Sequence, residues 1–137
     1  MILHRGADKP NLQKGELDMN FKQYLTNNIL PFWLNNAIDD NYGGIFTCLD
    51  KTGEIYGTDK SVWFQGRALW TFATAYEKIE KKAEYLEAAK SLAHFLLDHC
   101  FDSDGRMFFR VTKDGKPVIK RLRYFFSETF AIIGFSA

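Results

Sequence analysis

The sequence predicts an all-α chain built from a repeated helical unit, the architecture of an α/α toroid. Helical stretches of opposite character alternate, one apolar nearly all round and the next amphipathic. Short, glycine-turned β segments separate them. The pattern then starts again at an offset of about sixty residues, and a unit of two helices can bury its faces only against copies of itself. An enclosed helix paired with an amphipathic one fits an inner and an outer ring better than an open solenoid.

Residues 1–20 form a polar extension with no apolar run of signal-peptide length. Character changes abruptly at Phe21, so Met19 is a candidate natural start. Residues 21–137 read as one domain. Phe21, Leu25, Ile29, Phe32 and Trp33 mark a helix to about Asn36, which Pro31 should kink. Asp39 to Gly44 is a turn cluster, and Ile45 to Leu49 with Ile55-Tyr56 around Asp50-Lys51-Thr52-Gly53 reads as a hairpin. Ser61 to about Lys78 is apolar on almost every side and should be largely enclosed. Ala83 to about His99 carries one apolar stripe (Leu86, Ala89, Leu92, Ala93, Leu96, Leu97) opposite a wet face of Glu84, Glu87, Ser91, His94 and Asp98.

The second unit repeats the first. Asp102-Ser103-Asp104-Gly105 is a turn, Met107 to Val111 and Val118-Ile119 are strands around Lys113 to Lys116, and a fourth helix begins near Tyr124. Matching the halves pairs Gly44 with Gly105, Gly53 with Gly115, Lys60 with Arg121, Trp63 with Tyr124, Phe64 with Phe125, Arg67 with Glu128 and Leu69 with Phe130. Two units do not close a ring, and the apolar ending from Phe130 to Ala137 has no helix stop signal. A partial chain is the expectation, with exposed apolar surface that favours self-association.

Composition narrows the function classes. Eighteen Lys+Arg stand against 17 Asp+Glu, a balance that argues against a nucleic-acid or membrane-surface binder. The 16% aromatic content supplies core volume and also flat surfaces for the C–H faces of sugar rings. Cys48 and Cys100 have no metal or disulfide-framework spacing and are expected to be reduced and inert, as in a cytoplasmic protein. No apolar run approaches membrane-spanning length.

Chemistry concentrates on the second helix. Trp63, Arg67 and Trp70 are spaced i, i+4, i+7 and share one face. Gly66 beside Arg67 leaves room for a close approach. A guanidinium on an apolar helix needs a partner. That partner is either a carboxylate such as Glu128, in a structural ion pair, or the oxygens of a ligand between aromatic walls. If Arg67 and Glu128 occupy equivalent places in a ring of inner helices, both face a polar lumen and can pair at its edge. His94 and His99 do not have helical metal-pair spacing and read as surface histidines. Asp102 to Gly105 lacks the later ligands of a calcium loop.

The stretch Lys60-Ser61-Val62-Trp63-Phe64-Gln65-Gly66-Arg67-Ala68-Leu69-Trp70-Thr71-Phe72 resembles the N-acylglucosamine 2-epimerase family. So do Tyr42-Gly43-Gly44-Ile45-Phe46, Asp50-Lys51-Thr52-Gly53 and Phe126-Ser127-Glu128-Thr129-Phe130-Ala131. The resemblance covers about residues 21–137. It implies an (α/α)6 barrel of about 370 residues, six units in all. It also implies C2 epimerisation or aldose–ketose isomerisation of a sugar through an enolate. Arg67 matches the family arginine that stabilises the enolate oxygen. Trp63, Trp70, Tyr124 and Glu128 are expected to contact substrate. The family's catalytic histidines belong to later helices, so this chain alone should be inactive. The expected partners are a small-molecule sugar and a second copy in a homodimer, with no cofactor. The alternatives are another α/α-barrel enzyme acting on saccharides, with paired carboxylates, and a non-catalytic helical-repeat module.

Overall fold

The computed structural model describes residues 21–120 and 125–137. The chain divides after Pro31 into two compact units. The first holds a wide turn, Leu25–Ile29, in which the Leu30 N–H reaches back five residues to the Leu25 carbonyl. Pro31 follows at once, and it has no N–H with which to continue the ordinary ladder. The sequence expectation of a disturbed helix at Pro31 is met by this widening.

Helix α1 (Leu30–Ala37) leads to the turn at Asp39. Strands β1 (Cys48–Leu49) and β2 (Ile55–Gly57) form the first hairpin, antiparallel, with Leu49 opposite Ile55. Strand β3 (Lys60–Ser61) feeds directly into helix α2 (Val62–Thr74), which a second wide turn, Ala75–Ile79, extends. Helix α3 spans Ala83–His99, matching its expected limits. Strands β4 (Arg110–Val111) and β5 (Pro117–Ile119) precede helix α4 (Phe126–Phe135). Tyr124 and Arg121 lie outside the described residues.

The short strand β3 was not legible in the sequence. It pairs with β4, Lys60 opposite Val111 and Ser61 opposite Arg110, so the second hairpin completes a three-stranded sheet begun by the first sequence repeat. Helix α2 packs against both α3 and α4 and is the centre of the second unit.

The core face of α3 is rotated from the expected stripe. Tyr85, Ala88, Ala89, Leu92, Phe95 and Leu96 are buried, whereas Leu97 is 57% exposed. The aromatic residues Tyr85 and Phe95 take the inner positions: the Tyr85 ring lies near Phe72 of α2, and the Phe95 ring lies beneath the Lys60 ammonium. Ser91 is not on a wet face, since its Oγ accepts the Gly44 N–H at 3.1 Å.

The repeat is real, but its register differs from the sequence match. The Gly53 N–H donates to the Asp50 carbonyl as the Gly115 N–H does to Thr112, 62 residues later. The first turn equates Gly105 with Gly43, not Gly44: the Gly43 N–H bonds back to Asp39 and the Gly105 N–H to Asp102. Gly105 reaches back three residues and Gly43 four, so the second turn is one residue shorter and equivalent positions slip by one across it.

Cys100 is fully buried and Cys48 half-buried, and both are free. Burial pushes the Cys100 thiol up to about 12, against a smaller opposing pull from the Lys60 charge. The thiolate is the reactive form. A disulfide reagent at mildly alkaline pH should therefore label Cys48 in the folded chain and reach Cys100 only after denaturant is added. Peptide mapping of the labelled protein checks this, and equal labelling of both would contradict it.

Candidate functional site

Helix α2 starts at Val62 because β3 ends there, pinned by the Val62 N–H to the Phe109 carbonyl at 3.0 Å. Its buried side carries Val62, Gln65, Gly66, Ala68, Leu69 and Phe72. The other side is open. Arg67 is exposed, Trp70 is 44% exposed, and Trp63, one turn before Arg67, is half-buried. The sequence expectation of a largely enclosed helix holds for most of α2, and the exposed positions of Val62–Thr74 are Arg67 and Trp70.

Gly66 sets the depth of this face. A Cβ there would lie 2.6 Å from the Phe130 carbonyl carbon, and one on Gly134 would lie 2.6 Å from the Gly66 carbonyl oxygen. Helices α2 and α4 therefore meet backbone to backbone. The close approach foreseen at Gly66 is that of the next helix, not of a ligand. Gly66→Ala has no flexible neighbour to displace. It is expected to lower stability by about 1–3 kcal/mol or more, as overpacking does, and to push α4 away. Urea unfolding checks the first, and the loss of Trp63–Phe130 ring contact in near-ultraviolet dichroism checks the second.

That contact belongs to an aromatic chain. Phe32 meets Trp33 at 5.6 Å between ring centroids, Trp33 meets Phe64 at 5.5 Å, Phe64 meets Trp63 at 5.7 Å, and Trp63 meets Phe130 at 5.6 Å. Phe126 stacks on Phe130 at 6.5 Å. Rings from α1, α2 and α4 thus form one continuous wall, with Arg67 one turn along α2 from Trp63. Edge and tilted contacts of this kind hold rings in fixed orientations.

Arg67 makes no side-chain hydrogen bond or ion pair among the described residues. Its backbone carbonyl accepts from Thr71 Oγ1 at 2.9 Å. Glu128 does not pair with it. Glu128 Oε1 instead accepts from Arg106 Nε at 2.8 Å and from the Met107 N–H at 3.3 Å. Partial burial raises the Glu128 carboxyl, but these donors outweigh it and leave it below the ordinary glutamate value. The Arg106 guanidinium also lies 4.5 Å over the Phe125 ring. The ion-pair alternative for Arg67 through Glu128 is therefore overturned.

The equivalence of Arg67 and Glu128 fails for the same reason. Glu128 accepts the N–H of Met107 as Gln65 accepts that of Ile45, and these two N–H groups open corresponding hairpins. Glu128 thus matches Gln65, and the offset between helices α2 and α4 is 63 residues rather than 61. On this register Ala68 matches Ala131 and Phe72 matches Phe135.

A second group escaped the sequence reading. Lys60 is fully buried, and its ammonium donates to Asp39 Oδ2 at 2.8 Å, to the Gly43 carbonyl at 2.6 Å and to the Lys113 carbonyl at 2.9 Å. The Phe95 ring lies 4.3 Å away. Desolvation lowers the Lys60 pKa, and the Asp39 bond and charge oppose that shift. With all three donors used and no solvent contact, Lys60 is a structural anchor. Among the described residues no group of three or more His, Cys, Asp or Glu could hold a metal ion, and no helix is long and apolar enough to cross a membrane.

The sequence model of the family described as N-acylglucosamine 2-epimerase (GlcNAc 2-epimerase) matches residues 44–137. The chain belongs to this family. Within it, the chain is 38% identical over 106 residues to the N-acylglucosamine 2-epimerase of Rattus norvegicus, an overlap of 74% of this chain and 25% of that one. It is 30% identical over 122 residues to the cellobiose 2-epimerase of Bacteroides fragilis, covering 88% of this chain and 31% of that one. Among solved structures, a sugar epimerase from a ruminal bacterium superposes with a TM-score of 0.78 at 30% identity, over 88% of this chain and 31% of that one. This 2-epimerase-family chain thus spans about a quarter to a third of the length of the relatives it matches, and all of its described secondary structure from β1 onward lies within the family match.

Proposed function

We propose that residues 21–137 are the first part of an (α/α)6-barrel carbohydrate epimerase or aldose–ketose isomerase, with the Trp63–Arg67–Trp70 face of α2 lining the sugar-binding lumen. The observation that carries this is Arg67: a permanently charged guanidinium with no side-chain partner among the described residues, exposed between two tryptophans in a chain of this family. Trp63 and Trp70 offer apolar surfaces to the sugar's C–H faces, and Arg67 offers donors to its oxygens. Removing the proton at C2, α to the open-chain carbonyl, moves negative charge onto the carbonyl oxygen as the enolate forms. A fixed positive group at that oxygen lowers the barrier. Reprotonation on the opposite face at C2 gives the epimer.

The acid and base that move the proton are assigned to helices beyond residue 137, so residues 21–137 alone are inactive. The substrate class is N-acylglucosamine or N-acylmannosamine, a hexose, or a cellobiose-type disaccharide. Tyr124 is proposed as a substrate contact, although on the 63-residue register the place of Trp63 falls to Phe126. Glu128 acts by holding the second hairpin on α4 through Arg106 and Met107.

The test is incubation of the full-length protein with aldoses and N-acyl hexosamines in D2O. Deuterium is expected at C2 of the accepted sugar, read by NMR. Failure of every aldose and N-acyl hexosamine to exchange would sink the reading.

A further inference from the structure

We propose that Gln65 is the positioning residue for Arg67, acting as a two-sided clamp that fixes the rotation of α2. The proposal rests on the sugar-isomerase reading above and concerns how that site is held.

The Gln65 side chain is fully buried. Its Oε1 accepts the Ile45 N–H at 2.8 Å, and its Nε2 donates to the Ile45 carbonyl at 2.8 Å. The amide therefore pairs with both backbone groups of one residue, as a neighbouring strand would. Two bonds to one residue leave α2 little freedom to turn about its axis, and buried polar groups are costly to leave unmade. Successive helical residues are about 100° apart, so Arg67 projects nearly opposite Gln65. The clamp grips the back of the helix, and the guanidinium stands on the front. Gly66, between them, seats the same turn against the α4 backbone.

The second unit shows that this contact is a device and not an accident of packing. At the matching place on α4, Glu128 can only accept. It takes the Met107 N–H, while the adjacent Ser127 Oγ supplies a donor one residue further on, to the Phe108 carbonyl at 2.8 Å. Arg106 compensates the carboxylate charge. One glutamine does in the first unit what a glutamate, a serine and an arginine do in the second. The first unit has Gly44 where the second has Arg106, so a carboxylate at position 65 would have no compensating cation there.

Gln65→Glu is nearly isosteric and is the informative variant. It keeps the acceptor, loses the donor, and sets a carboxylate oxygen against the Ile45 carbonyl. Gln65→Met, which removes both bonds without adding charge, guards against failure of the first to fold. Both are made in the full-length enzyme. Two readouts are taken on the folded fraction: C2 exchange in D2O at varied sugar concentration, and the rate at which phenylglyoxal modifies Arg67, followed by peptide mapping. Misplacing a catalytic group by about 1 Å can cost about 100-fold. The expected result is a fall in kcat of about 10- to 100-fold with KM little changed, because the arginine acts on charge that develops only in the transition state. The Arg67 modification rate should shift in the same variants. Unchanged kcat and unchanged Arg67 reactivity, with only a lower melting temperature, would overturn the proposal and leave Gln65 a purely structural residue. If the unmodified enzyme exchanges no sugar, the isomerase reading fails on its own, and Arg67 reactivity still decides whether Gln65 positions it.

Discussion

Arg67→Ala in the full-length protein is expected to lower the rate of C2 exchange by about 10²–10³-fold, the usual cost of removing one group that stabilises a developing oxyanion. It should do so with little change in melting temperature. Arg67 is exposed and has no side-chain partner among the described residues, and substitutions at such positions usually stay within about 0.5 kcal/mol. Arg67→Lys should fall between, since it keeps the charge but loses the planar pair of donors. The combination separates catalysis from folding: thermal unfolding followed by circular dichroism should superpose for all three proteins while their exchange rates diverge. A variant that unfolds would mean that Arg67 has a structural partner after all.

The largest effect on stability is expected at Lys60. Its ion pair with Asp39 has side-chain exposures of 0% and 2%. Removing one member of such a pair leaves a buried, uncompensated charge, and the loss is typically about 3–5 kcal/mol. Lys60→Met keeps much of the volume between Phe46 and Phe95 but strands Asp39 Oδ2 and the Gly43 and Lys113 carbonyls. Asp39 has a second duty, because its Oδ1 accepts the N–H groups of Asn41 and Tyr42. The double variant Lys60→Met with Asp39→Asn removes the charge yet retains that acceptor. It should recover part of the loss in urea unfolding. If the double variant is as unstable as the single one, the stranded charge is not the cause.

The limits of sequence reading here have physical causes. Helix α3 was legible to the residue because its ends coincide with a change from mixed charge to periodic apolar residues. Its inner face was not, since Leu97 and Phe95 are both apolar and only packing decides which turns inward. The existence of the repeat was legible in glycine turns, but its register was not. Gly43 and Gly44 are adjacent, and a turn shortened by one residue shifts the match without leaving a mark in composition. The offset changes again between the hairpin and the helix, from 62 at Gly53 and Gly115 to 63 at Gln65 and Glu128, so a single offset of 61 misassigned Glu128. Arg67 and the tryptophans were legible because a charge on an apolar helix is conspicuous. Lys60 was not, because nothing local distinguishes a buried lysine from a surface one. Its partners lie 17, 21 and 53 residues away in sequence.

The strand β3 carries a consequence for how such a chain can be divided. Its hydrogen-bonding edge is satisfied by β4, and the Lys60 ammonium by Lys113, both from the following unit. The piece that keeps its β3 and Lys60 hydrogen bonds is therefore out of phase with the piece that repeats: it must borrow one hairpin from its successor. A boundary drawn at the sequence repeat, between Lys82 and Ala83 for example, would strip Lys60 of one acceptor and β3 of its neighbour. A boundary drawn after β5 would keep both. Excised units, chimeras and permuted chains built from this family should be cut behind the borrowed hairpin, not in front of it.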